Sequence, residues 1–76
     1  MDKLNDINEI FNTLLNRKVV LNEMTTPQDI EGWDSLFQAN LIETVEKKYG
    51  IKFKLREILA WDSVGNIINC INKHLG

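Results

Sequence analysis

The apolar residues of this chain recur at three- and four-residue spacings in three separate stretches, and that period admits helices and little else. Leu4, Ile7, Ile10, Phe11, Leu14 and Leu15 form one stripe, which predicts an amphipathic helix over 3–16. Asp2 stands at its start and Arg17 and Lys18 at its finish, the charges that suit the two poles of a helix. A second helix is expected from Asp34 or Ser35 to about Tyr49, with Gly50 ending it. Leu36, Ala39, Leu41, Ile42, Val45 and Tyr49 make its broad apolar face, and Ser35 with Gln38 fits a capping box. A third helix begins at Asp62 or Ser63 and buries Val64, Ile67, Ile68, Ile71 and Leu75, with Lys73 and His74 in its final turn.

Residues 51–55 (Ile-Lys-Phe-Lys-Leu) alternate as a strand would, but the only other strand-like run is Val-Val-Leu at 19–21, and a two-stranded pair is marginal. The segment is therefore read as an extended connector with Ile51, Phe53 and Leu55 facing inward. A short helical turn over 56–60 then buries Ile58 and Leu59. The fold class that follows is all-α: a small four-helix bundle, three main helices plus one short helix, with a long first loop. That loop, 18–33, holds the only proline, Pro27, and the turn formers Asn22, Asp29 and Gly32. A loop so long in a small domain is often functional. Val19, Val20, Leu21, Met24 and Ile30 are apolar enough to pin it to the core.

Seventy-six residues make one domain, 1–76, which buries only about 60% of the surface of its open chain and has no room for a deep catalytic cleft. Cys70 is alone, so no internal disulfide forms, and one cysteine with one histidine is too few for a zinc site of the usual Cys/His kind. No apolar run approaches the ~20 residues of a membrane span, and the first residues lack the basic start and apolar core of an export signal. A cytoplasmic monomer is expected. The net charge of −2 argues against nucleic acid as a partner.

The charges are unevenly placed. Six acids and no base lie in 19–46, and five bases and no acid in 47–56. Either this is a solvated mixed surface or the acidic stretch steers a basic partner. No histidine is near Ser35 in sequence, which argues against a Ser-His hydrolase arrangement. His74 reads as a helix-end residue and Cys70 as a small packing residue rather than a nucleophile.

The tripeptide Trp-Asp-Ser occurs twice, as Gly32-Trp33-Asp34-Ser35-Leu36 and as Ala60-Trp61-Asp62-Ser63-Val64, each where a helix begins. Capping accounts for both: Asp and Ser are strong N-caps, and each Trp would pack just before its helix. The contexts differ, however. Ser35 follows a glycine-containing loop and opens the long helix beside the acidic stretch. Ser63 lies between the short turn and the last helix, with bases at 52–56 behind it.

Gly32-Trp33-Asp34-Ser35-Leu36 resembles the G-x-D-S-L signature of the acyl carrier protein family. The order of helix, long loop, D-S-L, long helix, short helix and terminal helix follows that family over nearly the whole chain. Tyr49, Phe53, Ile58, Val64, Ile67, Ile68 and Ile71 stand where the family places core residues. The resemblance implies a 4′-phosphopantetheine arm, derived from coenzyme A, attached to Ser35 through a phosphodiester. It implies that Asp34 serves the modification step by helping to bind the transferase's metal, and that Leu36 fixes the helix start by packing inward. Ser63 keeps a capping role. A helix N-terminus suits such an anchor, since its free N–H groups and positive pole favour a phosphate.

The expected function is an acyl carrier, not an enzyme, that bears an acyl or aminoacyl group as a thioester for fatty acid, polyketide or related biosynthesis. Its partners would be a phosphopantetheinyl transferase and the enzymes that load and use the cargo. The alternative is an unmodified helical protein–protein interaction module. The family docks partners on the helix after the signature serine. Here that surface would use Phe37, Gln38, Glu43 and Glu46, unless Phe37 tucks under the loop. Phe37-Gln38-Ala39-Asn40 is less acidic than in housekeeping carriers, and the pattern resembles dedicated, free-standing carriers of specialised pathways: polyketide, aminoacyl, lipid-modification and surface-polysaccharide routes. Ala39, Ile42, Val45, Phe53, Ile58 and Ile67 would line a cargo pocket within the bundle, or serve as ordinary core.

Overall fold

The structure is a computed structural model that describes residues 3–75. It contains α1 (Lys3–Leu15), a single 3-10 turn (Pro27–Asp29), α2 (Ser35–Tyr49), α3 (Leu55–Leu59) and α4 (Val64–Leu75). No strand occurs among the described residues. The four-helix, all-α expectation holds, and the stripe boundaries are met to within a residue or two. The expected role of Asp2 at the start of α1 lies outside the described residues.

The centre of the bundle is built from one face of each long helix. Ile7 and Phe11 of α1, Leu41 and Val45 of α2, and Val64, Ile67 and Ile71 of α4 are fully buried. Their spacings of three and four residues put each set on one side of its helix. Phe11 meets Trp33 and Phe37 edge-on, both at 5.0 Å between ring centroids, and closes the core beneath the end of the long loop.

The run 19–21 is extended but pairs with no strand, because α1 supplies its hydrogen bonds. Asn8 and Asn12, one turn apart, hold it. The Asn12 Oδ1 accepts the Val19 N–H at 2.7 Å, the Asn8 Oδ1 accepts the Leu21 N–H at 2.6 Å, and the Asn8 amide donates to the Val19 carbonyl at 2.9 Å. Side-chain amides here stand in for a neighbouring strand. The alternation of this run then decides burial: Val19 and Leu21 face in and Val20 faces out. Val20 and Met24 therefore do not anchor the loop as expected; Val19, Leu21 and Ile30 do.

The loop also caps the start of α4. The Val64 N–H donates to the Thr25 carbonyl at 2.9 Å and the Gly65 N–H to the Glu23 carbonyl at 2.8 Å. A Cβ at position 65 would lie 2.8 Å from that same Glu23 oxygen, so only glycine permits this approach. The loop is thus stitched to the bundle at both α1 and α4.

Three further corrections concern which way apolar residues face. Leu55 and Leu59 are exposed rather than inward, since a five-residue α3 has one inner side, and Glu57 and Ile58 occupy it. Leu75 is half-exposed at the end of α4. Of the residues expected to line a cargo pocket, Val45 and Ile67 are fully buried, Ile42, Phe53 and Ile58 are half-buried, and Ala39 is exposed and lines nothing inside.

Candidate functional site

The start of α2 is set by backbone before any side chain acts. Gly32 takes φ 97°, a left-handed conformation that a residue with a Cβ rarely adopts, and a Cβ there would also press on Leu15 Cδ2 at 3.1 Å. The turn drops the Trp33 indole into the core, where it lies edge-on to Phe11. Its Nε1–H donates to the Gln38 Oε1 at 2.7 Å. Gln38 therefore does not form the expected capping box with Ser35; its amide is spent on the indole one turn away.

The cap is Asp34. Its backbone is extended, its carbonyl accepts the Gln38 N–H at 2.9 Å and its Oδ1 accepts the Phe37 N–H at 2.9 Å. Ser35 is then the first residue inside the helix. It is exposed, and its hydroxyl has no hydrogen bond to any described residue. The N–H groups of Ser35 and Leu36, the first two of the helix, are also without acceptors among the described residues.

Once Asp34 caps, the azimuth of every following side chain is determined. Phe37, Leu41 and Val45 point inward at four-residue steps, and Leu36 is turned about 100° away from them. Phe37 is only 6% exposed, packed on Phe11 and Trp33, so it is not available as a surface contact. Leu36 is 74% exposed and does not fix the helix start by packing. These two neighbours exchange the roles expected of them.

The other expected contact residues divide. Glu43 is exposed and paired with Lys47 at 3.0 Å across one helical turn, an ion pair of small value in water. Glu46 is half-buried, and its Oε2 accepts the Phe53 N–H at 2.8 Å, which holds the connector after α2. At the far end of α2 the Tyr49 hydroxyl donates to the Asp6 carboxylate at 3.0 Å, and burial, with the Asp6 charge behind it, pushes the phenol up to about 12.

A shallow groove of about 360 Å³ lies beside Ser35, lined by Pro27, Trp33, Asp34, Ser35, Gln38 and Trp61. Both tryptophans of the repeated tripeptide meet there. Nothing in the spacing of the two repeats, twenty-eight positions apart, signals this, and Trp61 is the site residue that sequence reasoning missed. Its presence in a second copy of the motif was the one available sign. Ser63 does what capping requires: its Oγ accepts the Asn66 N–H at 3.3 Å.

The start of α2 thus presents an exposed serine hydroxyl, without a hydrogen-bond partner among the described residues, at the first position of the longest helix of a small four-helix bundle. Solved structures share this four-helix fold. The chain is similar to the solution structure of a holo acyl carrier protein from Geobacter metallireducens, with a TM-score of 0.90 and 36% identity, over 99% of this chain and 87% of that one. It is similar in fold to a protein from Mycobacterium tuberculosis assigned as an acyl carrier protein, with a TM-score of 0.86 and 21% identity, over 95% of this chain and 97% of that one. The chain belongs to the acyl carrier protein family. No protein-family profile and no curated protein matches it. No helix among the described residues is long and apolar enough to cross a membrane.

Proposed function

We propose that the whole of 1–76 acts as one carrier domain, with Ser35 as the attachment point of a 4′-phosphopantetheine arm. The observation that carries this reading is the combination at the start of α2: an exposed, unbonded hydroxyl next to two N–H groups without acceptors. A phosphate on Ser35 would meet both N–H groups and the positive pole of a fifteen-residue helix. Asp34 opposes it by charge, but one of its carboxylate oxygens is already engaged by the Phe37 N–H. The residues present therefore fit the group. When bound, it supplies a flexible thiol on which an acyl or aminoacyl group rides as a thioester.

The protein's own part is to display, orient and release. Asp34 holds the helix start rigid and leaves its second carboxylate oxygen exposed for the metal of a transferase. Trp33 and Trp61 wall the groove at the root of the arm. Leu36, Asn40 and Glu43 share the outward face of α2 and form the contact surface for the transferase and for loading and acyl-using enzymes, with Leu36 taking the apolar role that Phe37 cannot. In this reading the chain is the carrier, and the chemistry on the cargo belongs to its partner enzymes.

Incubation with coenzyme A and a broad-specificity phosphopantetheinyl transferase, followed by intact mass measurement, tests the reading. One phosphopantetheine should add to the native chain and to Ser63→Ala, and none to Ser35→Ala. If the native chain gains no mass while a control carrier is loaded, Ser35 is no attachment point and the bundle is an unmodified interaction module.

A further inference from the structure

Far from Ser35 in sequence, α3 and α4 bring three metal-binding groups together. Cys70 and His74 stand four residues apart and so share one face of α4. Glu57 of α3 meets both. The Cys70 thiol donates to its Oε2 at 3.4 Å, and the His74 Nε2 lies 2.9 Å from Oε2 and 3.1 Å from Oε1. One donor atom from each of the three residues lies within 4.8 Å of the other two. Tetrahedral zinc, with bonds of about 2.0–2.3 Å, needs donor–donor separations of roughly 3.3–3.6 Å. The observed separations bracket that range, so small side-chain rotations suffice.

Three features of the surroundings favour a metal over a plain ion pair. First, the Glu57 carboxylate is oriented from outside the cluster: its Oε1 accepts the Lys54 N–H at 2.7 Å, which leaves Oε2 for the cluster. Metal ligands are typically held by such an outer contact. Second, the Trp61 indole N–H is buried without a hydrogen-bond partner. It lies beside the Cys70 sulfur, where it can donate to it. A neutral thiol leaves that donor unsatisfied, whereas a metal-bound thiolate accepts from it. Third, a groove of about 590 Å³, lined by residues including Glu57, Trp61, Asn66, Cys70 and Lys73, opens onto the sulfur and gives a cation both a path and room for a fourth ligand.

We propose that Glu57, Cys70 and His74 form a three-ligand site for a zinc-class divalent cation, with its fourth position open to the groove. A carboxylate from a separate helix completes what one cysteine and one histidine could not supply. Binding breaks the S–H bond, releases that proton to solvent and forms a metal–sulfur bond; nothing is oxidised or reduced. His74 contributes the Nε2 lone pair, its proton residing on Nδ1. Thiolate and carboxylate together neutralise the cation. Lys54, Arg56 and Lys73 stand around the rim and repel a loosely held ion, so binding rests on the thiolate bond and selects zinc-class metals over magnesium or calcium. The ion would tie α3, whose Leu55 and Leu59 face solvent, to α4.

The test uses the reduced full-length Ser35→Ala chain, which bears no arm thiol to compete, so its result is independent of the carrier reading. Zn²⁺ is titrated against a chromogenic chelator and Co²⁺ is followed by absorption. One ion per chain, a near-ultraviolet thiolate-to-cobalt band and at least about tenfold weaker binding in Cys70→Ser, His74→Gln and Glu57→Gln are expected. Zn²⁺ should raise the Tm of the parent and not of the variants. His74 stands in the last turn of α4, and His74→Gln, with its helical content checked by circular dichroism, keeps the test decisive even if Cys70→Ser unfolds. Cobalt bound without the thiolate band, or His74→Gln binding zinc as tightly as its parent, overturns the proposal.

Discussion

Trp33-Asp34-Ser35 and Trp61-Asp62-Ser63 are the same tripeptide at the same kind of place, yet their serines end in opposite states. In the first, Asp34 is the N-cap and α2 begins at Ser35, so the hydroxyl is left over. In the second, Ser63 takes the cap, accepting the Asn66 N–H, and α4 begins one residue later at Val64. The free N–H groups differ in the same sense. At α4 the Val64 and Gly65 N–H groups are taken by loop carbonyls of Thr25 and Glu23, while at α2 those of Ser35 and Leu36 stay open. A shift of one residue in capping thus separates a hydroxyl available for chemistry from one consumed by structure. The long loop causes the shift, because it docks on the start of one helix and only leads into the other.

The strongest way to break this comparison is to load the two serine variants. Ser35→Ala should lose phosphopantetheine attachment completely while Ser63→Ala keeps it, as intact mass would show; equal loading of both would erase the distinction. Next in size is the docking of the loop on α4. Gly65→Ala forces a methyl group against the Glu23 oxygen and should cost about 1–3 kcal/mol, read as a fall in Tm. Loading at Ser35 should persist in the folded fraction.

Stability should then follow capping and not the motif. Asp34→Ala and Ser63→Ala are each expected to lose about 1 kcal/mol in denaturant titrations, whereas Ser35→Ala should change stability by less than half of that. If Ser35→Ala were the costlier variant, Ser35 rather than Asp34 would be the cap.

The smallest effect lies at the other end of α2. The Tyr49 phenol is held at about 12 by burial and Asp6, above its ordinary value near 10. Its contribution is therefore complete below about pH 10 and is lost as pH rises toward 12. Unfolding experiments across that window should show the loss in the native chain and not in Tyr49→Phe, and tyrosinate absorbance should appear about two units late. Tyr49→Phe should load at Ser35 as the native chain does, since the helix start is set by Asp34.

Much of the fold was legible because helical periodicity survives in any context. The stripe beginning at Leu4 predicted 3–16, and the helix is Lys3–Leu15. The local geometry was legible in part: the Gly32-Trp33-Asp34-Ser35-Leu36 run placed Ser35 at a helix start, and there the serine is exposed. Direction was harder. Leu36 and Phe37 are both apolar and adjacent, and only the capping geometry of Asp34 says which one turns inward. Leu55, Leu59, Met24 and Val20 were assigned to the interior on hydrophobicity alone, and each is exposed, because an apolar side chain is buried only where another surface meets it.

By itself, then, the order of residues determined that three amphipathic helices form, that a long tethered loop precedes the second, and that two serines stand at helix starts. These are local matters, decided by spacing and by the hydrogen-bonding capacity of nearby side chains. The tertiary structure alone decided which serine is free, that both tryptophans flank it, and that Glu57 reaches Cys70 and His74. Those outcomes depend on segments far apart in the chain meeting in space, and no local pattern encodes where a loop carbonyl or a facing helix will stand.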